Sequence, residues 1–364
     1  MHESIDQKNN HPGPGRDFMS AMADAADPTE SVTPDISVIL VNWNTRDLLR
    51  ACLKSIFAQT PSLSCEVTVV DNASEDGSAD MVQKEFPAVR LIQNTENSGF
   101  GRANNQGFRE SSGAYVLFLN PDTEIRDRAI EKAVAFMETH PNVWLAGAKS
   151  VHHDGTIQVS TAYFPSLAMI WTNGVPLKIA LSVFGPLRRL LKTSAEYSDE
   201  GFTMTGNSES RRVDYVLGQF MLTRRDVLEK TGLFDESIFM YEEEADLCYR
   251  IHKAGGEVWY VPEAVILHHE RRSIDQLPDA FRHEVDWFLS ARGRFMEKHH
   301  GKAMEVIFHA MTGFSSAVKL VLYAVLFLAD RGKRRYLTRR LRYHGAIERW
   351  YLKRMFTFIK IKKR

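Results

Sequence analysis

The stretch "ISVILVNWNTRDLLRACLKSIFAQ", residues 36–59, changes its hydrophobic period halfway along. Its first residues form a continuous apolar run that stops at Asn42, the pattern of a strand covered on both faces. From Arg46 the apolar residues recur at helical spacing instead. A covered strand leading straight into an amphipathic helix is the opening of a strand–helix–strand unit. The same alternation continues with "EVTVVD" (66–71), a helix over 77–86, "VRLIQ" (89–93), a helix over 102–110, "AYVLFLN" (114–120) and, after another helix, "VWLAGAK" (143–149). This order predicts an α/β fold with a mainly parallel sheet flanked by helices.

In such sheets the ligand lies beyond the carboxyl ends of the strands. Here those ends read "VNWN" (41–44), "VDNASEDGS" (70–78) and "LNPDTEI" (119–125), each apolar run stopping at Asn or Asp. One such end would be an ordinary turn. Three in succession along one sheet edge point to a polar ligand site. Asp122, just past a proline, could hold a divalent cation through hard oxygen ligands, and Asp71 is placed to hydrogen-bond a base or ribose. No G-x-G-x-x-G follows the first strand and no G-x-x-x-x-G-K-[ST] occurs, so dinucleotide and P-loop phosphate cradles are missing. A diphosphate bound here would need a metal to neutralise it.

A second signal lies at "FMYEEEADLCYR", residues 239–250, where four carboxylates fall within five positions. Acidic residues suit the start of a helix, and Asp246 with Arg250 makes an i,i+4 pair. Farther on, "ILHHE" ends a strand with His268 and His269, either of which could complete a metal site. A displacement reaction needs a general base within reach of the acceptor hydroxyl. A Glu at a helix start beside the metal could supply it.

The 364 residues, with 44% hydrophobic and 25% charged, are those of a globular protein. The 46 basic and 46 acidic side chains cancel only overall. From Arg331 onward there are 14 Lys/Arg against the single Glu348, so an acidic body carries a basic end, and that end should meet something anionic. The 3 cysteines, Cys52, Cys65 and Cys248, lack ligand spacing and are expected to be reduced. Residues 1–34 read as a disordered leader and residues 163–192 as an interfacial insertion with a basic edge. Residues 306–329 could span a bilayer by length, but His309, Thr312, Ser316 and Lys319 make a polar stripe along one face. That stripe favours a helix lying in the membrane plane or packed on protein over a span. Residues 301–364, that amphipathic or apolar helix and the basic, aromatic tail after it, are then expected on anionic lipid rather than on nucleic acid.

Taken together and in order, "SVILVNWN", "VDNASEDGS", "NTENSGFGRANNQGF", "LFLNPDTEI", "GLFDESIFMYEEEADLCYR" and "ILHHERRS" resemble glycosyltransferase family 2. The likeness covers about residues 35–275 and is closest to the rhamnosyltransferase-like branch that builds bacterial surface polysaccharides. It implies an A-type glycosyltransferase fold over 35–300, a nucleotide-diphosphate sugar donor (dTDP- or UDP-linked), a Mg2+ or Mn2+ ion and inversion by single displacement. It implies a lipid-linked saccharide acceptor at the cytoplasmic face of the membrane, with rhamnose from dTDP-rhamnose favoured over UDP-hexoses. By motif, Asn42 and Asn44 resemble the nucleotide edge of the first strand, and Asp71 the residue holding base and ribose. Asn97, Gly99, Asn104 and Asn105 resemble the segment that closes over the donor. Asn120 and Asp122 occupy the Asp-x-Asp position, leaving Asp122 as the metal carboxylate, with His268 as the later ligand and His269 its neighbour. Gly218 and Gln219 resemble the acceptor side. Glu244 stands where the catalytic base is usually Asp, one methylene or about 1.5 Å farther out, with Glu243 second and Asp246 orienting the helix. The rival readings are a UDP-hexose-dependent enzyme of the same fold and a non-catalytic scaffold recruited to membrane or nucleic acid.

Overall fold

All seven positions of the first strand, β1 (Ile36–Asn42), are buried, so the sheet must be covered on both faces. The computed structural model describes residues 33–167, 203–204, 208–269, 280–329, 332 and 334–362. The leader over 1–32 and residues 168–192 of the expected insertion lie outside them. Pro34–Arg364 forms one compact unit.

β1 is followed by α1 (Arg46–Gln59), β2 (Cys65–Asp71), α2 (Ser78–Glu85), β3 (Arg90–Gln93), α3 (Phe100–Arg109) and β4 (Tyr115–Leu119). β5 (Thr123–Arg126), α4 (Ala129–Thr139) and β6 (Val143–Val151) come next. Short strands β7 (Thr161–Ala162), β8 (Thr203–Met204), β9 (Arg211–Arg212) and β10 (Tyr215–Val216) precede β11 (Phe220–Arg224). The chain closes with α5 (Arg225–Thr231), α6 (Glu243–Lys253), β12 (Glu257–His268), α7 (Ala280–His300), α8 (Lys302–Ala329) and α9 (Arg334–Lys362).

Among the described residues the main sheet runs β3-β2-β1-β4-β11-β6-β12-β5, with β9 also on β12. β1, β2, β3 and β4 are mutually parallel, and β6 pairs parallel with β12. β11 is inserted antiparallel between β4 and β6. β5 and β9 run antiparallel to β12. Most strands therefore share one direction, as expected, but the insertion of β11 was not visible in the periodicity. β10, β7 and β8 make a small separate antiparallel sheet.

Alternation along β1 divides the core. Ile36, Val38 and Leu40 face Leu49, Cys52, Leu53 and Ile56 of α1, along with α2 and α4. Ile39 faces the opposite layer, where Phe108 of α3, Val227 and Leu228 of α5, Leu247 and Ile251 of α6 and Phe295 of α7 pack. Each fully buried side chain of this size stabilises by about 1.5–3 kcal/mol, so both layers are needed to hold the sheet.

The polar stripe on α8 turns inward. His309 Nδ1 lies 3.2 Å from the Tyr351 hydroxyl of α9, and the Ser316 hydroxyl lies 3.1 Å from His344 Nδ1. Gly293 of α7 leaves room for the His309 ring, since a Cβ there would come within 2.4 Å of Nε2. The opposite face of α8 exposes Val306, Ile307, Phe314, Val321, Val325 and Leu328. By length and composition α8 is apolar enough to cross a membrane.

Candidate active site

The polar ends of β1 and β2 are tied to one another. Asn42, fully buried, donates from Nδ2 to Asp71 Oδ1 at 2.8 Å and to Ser74 Oγ at 3.0 Å. Its Oδ1 accepts from Thr45 Oγ1 at 2.6 Å, so that hydroxyl serves the strand end instead of capping α1. Asp71 Oδ2 accepts the Ser74 N–H at 3.0 Å. Asn44, at φ 54°, accepts the Glu75 N–H at 2.8 Å and donates its own N–H to Ser74 Oγ at 2.9 Å. Asp71 is thereby fixed at the sheet edge, with half its hydrogen-bonding capacity already used by Asn42 and Ser74.

The 94–105 segment is held against this edge by a residue the motifs did not single out. Asn72 donates to Asn97 Oδ1 and the Gly99 carbonyl, each at 3.2 Å, and accepts from Asn94 Nδ2 at 2.8 Å. Gly99 has φ 85°, and a Cβ there would sit 2.4 Å from the Phe239 carbonyl oxygen, so this crossing requires glycine. Asn104 donates to the Phe100 carbonyl at 3.0 Å, while its buried Oδ1 has no hydrogen-bond partner among the described residues. Asn105 is directed elsewhere: its amide donates to the Phe234 carbonyl at 2.9 Å and accepts the Phe234 N–H at 3.1 Å. It staples α3 to the loop that leads into α6.

Past β4, Asp122 is buried and its Oδ1 lies 3.3 Å from His268 Nε2 at the end of β12. Gln158 orients that ring, accepting at Oε1 from His268 Nδ1 at 2.9 Å and donating to the His268 carbonyl at 2.8 Å. With Nδ1 committed to Gln158, Nε2 is the nitrogen that, when deprotonated, would share a cation with the facing carboxylate oxygen. An electron pair and an anion so placed suit a cation between them. The two donors fit a divalent ion that takes its other ligands from substrate and water; no cluster of three protein donors occurs among the described residues. His269 turns away, with Nε2 3.0 Å from Glu124 Oε1 and Nδ1 2.9 Å from His153 Nε2. Beneath the loop, the Cys52 thiol lies 3.8 Å from both the Asn120 carbonyl and the Thr123 hydroxyl. Burial pushes that thiol up to about 12.

The acidic stretch arrives at the same edge through β11. Asn120 donates its N–H to the Gln219 carbonyl at 3.2 Å, and the preceding Gly218 N–H bonds the Glu244 carboxylate. The Gln219 side chain holds Ser150 and the Val159 carbonyl. Tyr241 and Glu242 take left-handed φ values of 70° and 63° and α6 starts immediately after. Burial raises the Glu244 proton affinity to about 7, and the Glu242 charge adds to it. Glu243 is pushed well above the carboxylate range by burial and then by Glu244. Asp246 behaves in the opposite way. Burial would raise it, but His299 at 2.8 Å, Arg250 at 3.0 Å and Lys298 at 2.8 Å hold it below the usual range. Of the three carboxylates, Glu243 and Glu244 carry the elevated proton affinity of an acid–base group, and Asp246 anchors α7 and Arg250.

Asn72, Gln158, Arg292, Lys298 and His299 escaped the sequence reading because each acts on a partner 22 to 110 positions away. For Gln158 the only sequence signal is its place shortly after β6, at the same sheet edge.

Similarity to known proteins follows the same regions. Glycosyl transferase family 2 matches residues 37–232. The N-acetylglucosaminyl-diphospho-decaprenol L-rhamnosyltransferase of Mycobacterium tuberculosis is 28% identical over 258 residues, covering 68% of this chain and 80% of the relative. The rhamnosyltransferase WbbL of Escherichia coli is 27% identical over 216 residues, covering 55% and 70%. Among solved structures, the mannosyltransferase PcManGT of Pyrobaculum calidifontis, in complex with GDP-Man and Mn2+, superposes with a TM-score of 0.52 at 17% identity, over 92% of this chain and 90% of that one. GalNAc-T7 with UDP, GalNAc and Mn2+ gives a TM-score of 0.50 at 14% identity, over 74% of this chain and 48% of that one.

Proposed function

The chain belongs to glycosyl transferase family 2, and from that premise we propose that it is an inverting, metal-assisted transferase moving a sugar from a nucleotide diphosphate to a lipid-linked saccharide. The donor favoured is dTDP-rhamnose, in keeping with the rhamnosyltransferases among its relatives. The observation that carries this reading is the meeting of two opposed electrostatic settings at one sheet edge. Asp122 and His268 suit a cation, while Glu244, tied through Gly218 and Gln219 to the same loop, has a proton affinity near neutrality.

In this mechanism Asn42 and Ser74 hold Asp71 toward the base and ribose of the donor. The 97–105 segment closes over the sugar from the far side. Asp122 and His268 would hold Mg2+ or Mn2+, which when bound screens the diphosphate and stabilises it as a leaving group. Glu244 takes the proton of the acceptor hydroxyl as that oxygen bonds the anomeric carbon from the face opposite the departing diphosphate. The bond to the phosphate oxygen breaks in the same step, which inverts the anomeric centre. A base whose proton affinity is near the working pH is deprotonated often enough to act and still accepts a proton readily.

A lipid-linked acceptor calls for a membrane-facing enzyme. The apolar outer face of α8 supports an in-plane position at the cytoplasmic membrane surface. Exposed Arg334, Arg335, Arg339, Arg342, Arg349 and Lys353 on α9 suit anionic headgroups.

The test is nucleotide release from a panel of dTDP- and UDP-sugars with a lipid-linked acceptor, in Mg2+, Mn2+ or EDTA. The expected outcome is release from one donor, abolished by EDTA and by Glu244→Gln. Release from a UDP-hexose alone would replace rhamnose, and nucleotide binding without release would favour the scaffold.

A further inference from the structure

α7 grips α6 and the loop before it at three carboxylates. Lys298 Nζ lies 2.8 Å from both Asp235 and Asp246, and His299 Nε2 lies 2.8 Å from Asp246. These contacts attach the helix. The third contact is placed differently, because Glu242 stands beside the carboxylates given the chemistry above. Arg292 Nε reaches Glu242 Oε1 at 2.5 Å, and both side chains are almost fully buried, at 7% and 2% exposed. The guanidinium also lies 3.6 Å over the Phe288 ring, which fixes its plane.

Two left-handed non-glycine residues in succession, Tyr241 and Glu242, are strained and persist only where their surroundings enforce them. The Asp246 N–H to the Glu242 carbonyl, at 2.9 Å, closes the helix from the main chain. The side chain of Glu242 is held from α7. Resting on the reading of Glu244 as base, we propose that Arg292 is a positioning residue for this reaction: its ion pair with Glu242 holds the bend before α6 and balances the charge beside Glu244.

Glu242 and Glu243 precede Glu244, Cys248 lies one turn on, Tyr215 approaches from β10, and the Gly218 N–H comes from the turn before β11. Arg292 brings a positive charge from α7 to this group, while Lys298 is shared between Asp235 and Asp246, and His299 and Arg250 contact Asp246. Without Arg292 the Glu242 carboxylate is a buried, uncompensated anion next to the base. Glu244 then holds its proton to higher pH, and less of it is ready to accept the acceptor proton at neutrality.

The experiment uses the full chain as wild type, Arg292→Gln, Glu242→Gln and the double variant. It reads the pH profile of nucleotide release and, separately, the titration of 13C-labelled Glu carboxyls, with Glu244→Gln identifying the resonance. Arg292→Gln is expected to move the acid limb to higher pH, with about a fivefold loss at pH 7 for the first unit of displacement and about tenfold for each further unit. Glu242→Gln is expected to move it to lower pH, and the double variant to return it to or below the wild-type position. An acid limb that stays in place in both single variants, or a double variant no better than Arg292→Gln, overturns the proposal. Should Arg292→Gln not fold, Glu242→Gln decides alone: an unmoved limb sinks the idea. The carboxyl titration needs no turnover, so a wild type that consumes no sugar nucleotide refutes the transferase reading while the positioning claim is still decided.

Discussion

At the scale of single residues, Glu244 couples activity to stability. Its folded form binds a proton more tightly than the unfolded chain, about 7 against 4.5. The folded state is thus favoured while Glu244 is protonated, and that contribution is lost as pH rises from 4.5 through 7. Glu244→Gln keeps the shape without the ionisation. It should lower turnover by about 10²–10⁴-fold and yet unfold at higher temperature than wild type at pH 8, by on the order of 3 kcal/mol, with the difference vanishing near pH 4.5. Thermal melts of both proteins across that range check it. Asp246 is the counter-case: Asp246→Ala would strand Arg250, Lys298 and His299 around an empty position, and denaturant unfolding should show a loss of about 3–5 kcal/mol. Asn42, Asp71 and Asp122 were legible because a strand end is visible where an apolar run stops at a polar residue. Arg292 and Gln158 were not, since the residues they serve lie 50 and 110 positions away and no local pattern announces such a pair.

At the scale of elements, periodicity reported which segments are strands and helices but not their order across the sheet. β1 to β4 were readable as a parallel series, since each returns through a helix. β11 enters antiparallel because the chain reaches it from the short strand β10 rather than through a crossover helix. That insertion puts Gly218 and Gln219 beside Asn120, bringing the acidic stretch to the metal loop. On α8 the polar stripe was legible and its two possible uses were not separable by pattern. The structure assigns it to the contact with α7 and α9, leaving Phe314 and Val321 at 67% and 66% exposed on the other side. Phe314→Glu with Val321→Glu should therefore cost little in thermal stability, while co-sedimentation with anionic vesicles falls at least tenfold. Unchanged sedimentation would move the membrane contact to another surface.

At the scale of the whole molecule, charge and apolar surface are divided by region. The carboxylates crowd the sheet edge and α6, and exposed basic side chains gather on α9. Binding to anionic vesicles through α9 should weaken steeply between 50 and 500 mM salt, as screening shortens to a few ångströms, whereas donor hydrolysis in detergent should change far less. Parallel sedimentation and turnover measurements over one salt series separate the two. The same arrangement places two thiols directly under the two halves of the site, Cys52 below the Asn120–Thr123 loop and Cys248 one turn beyond Glu244. Both are buried, and burial pushes each up to about 12. A maleimide in the surrounding buffer can reach neither sulfur until its roof lifts, so each alkylation rate is a clock for one local opening. A bound sugar nucleotide that closes only one half would slow one clock and leave the other keeping time.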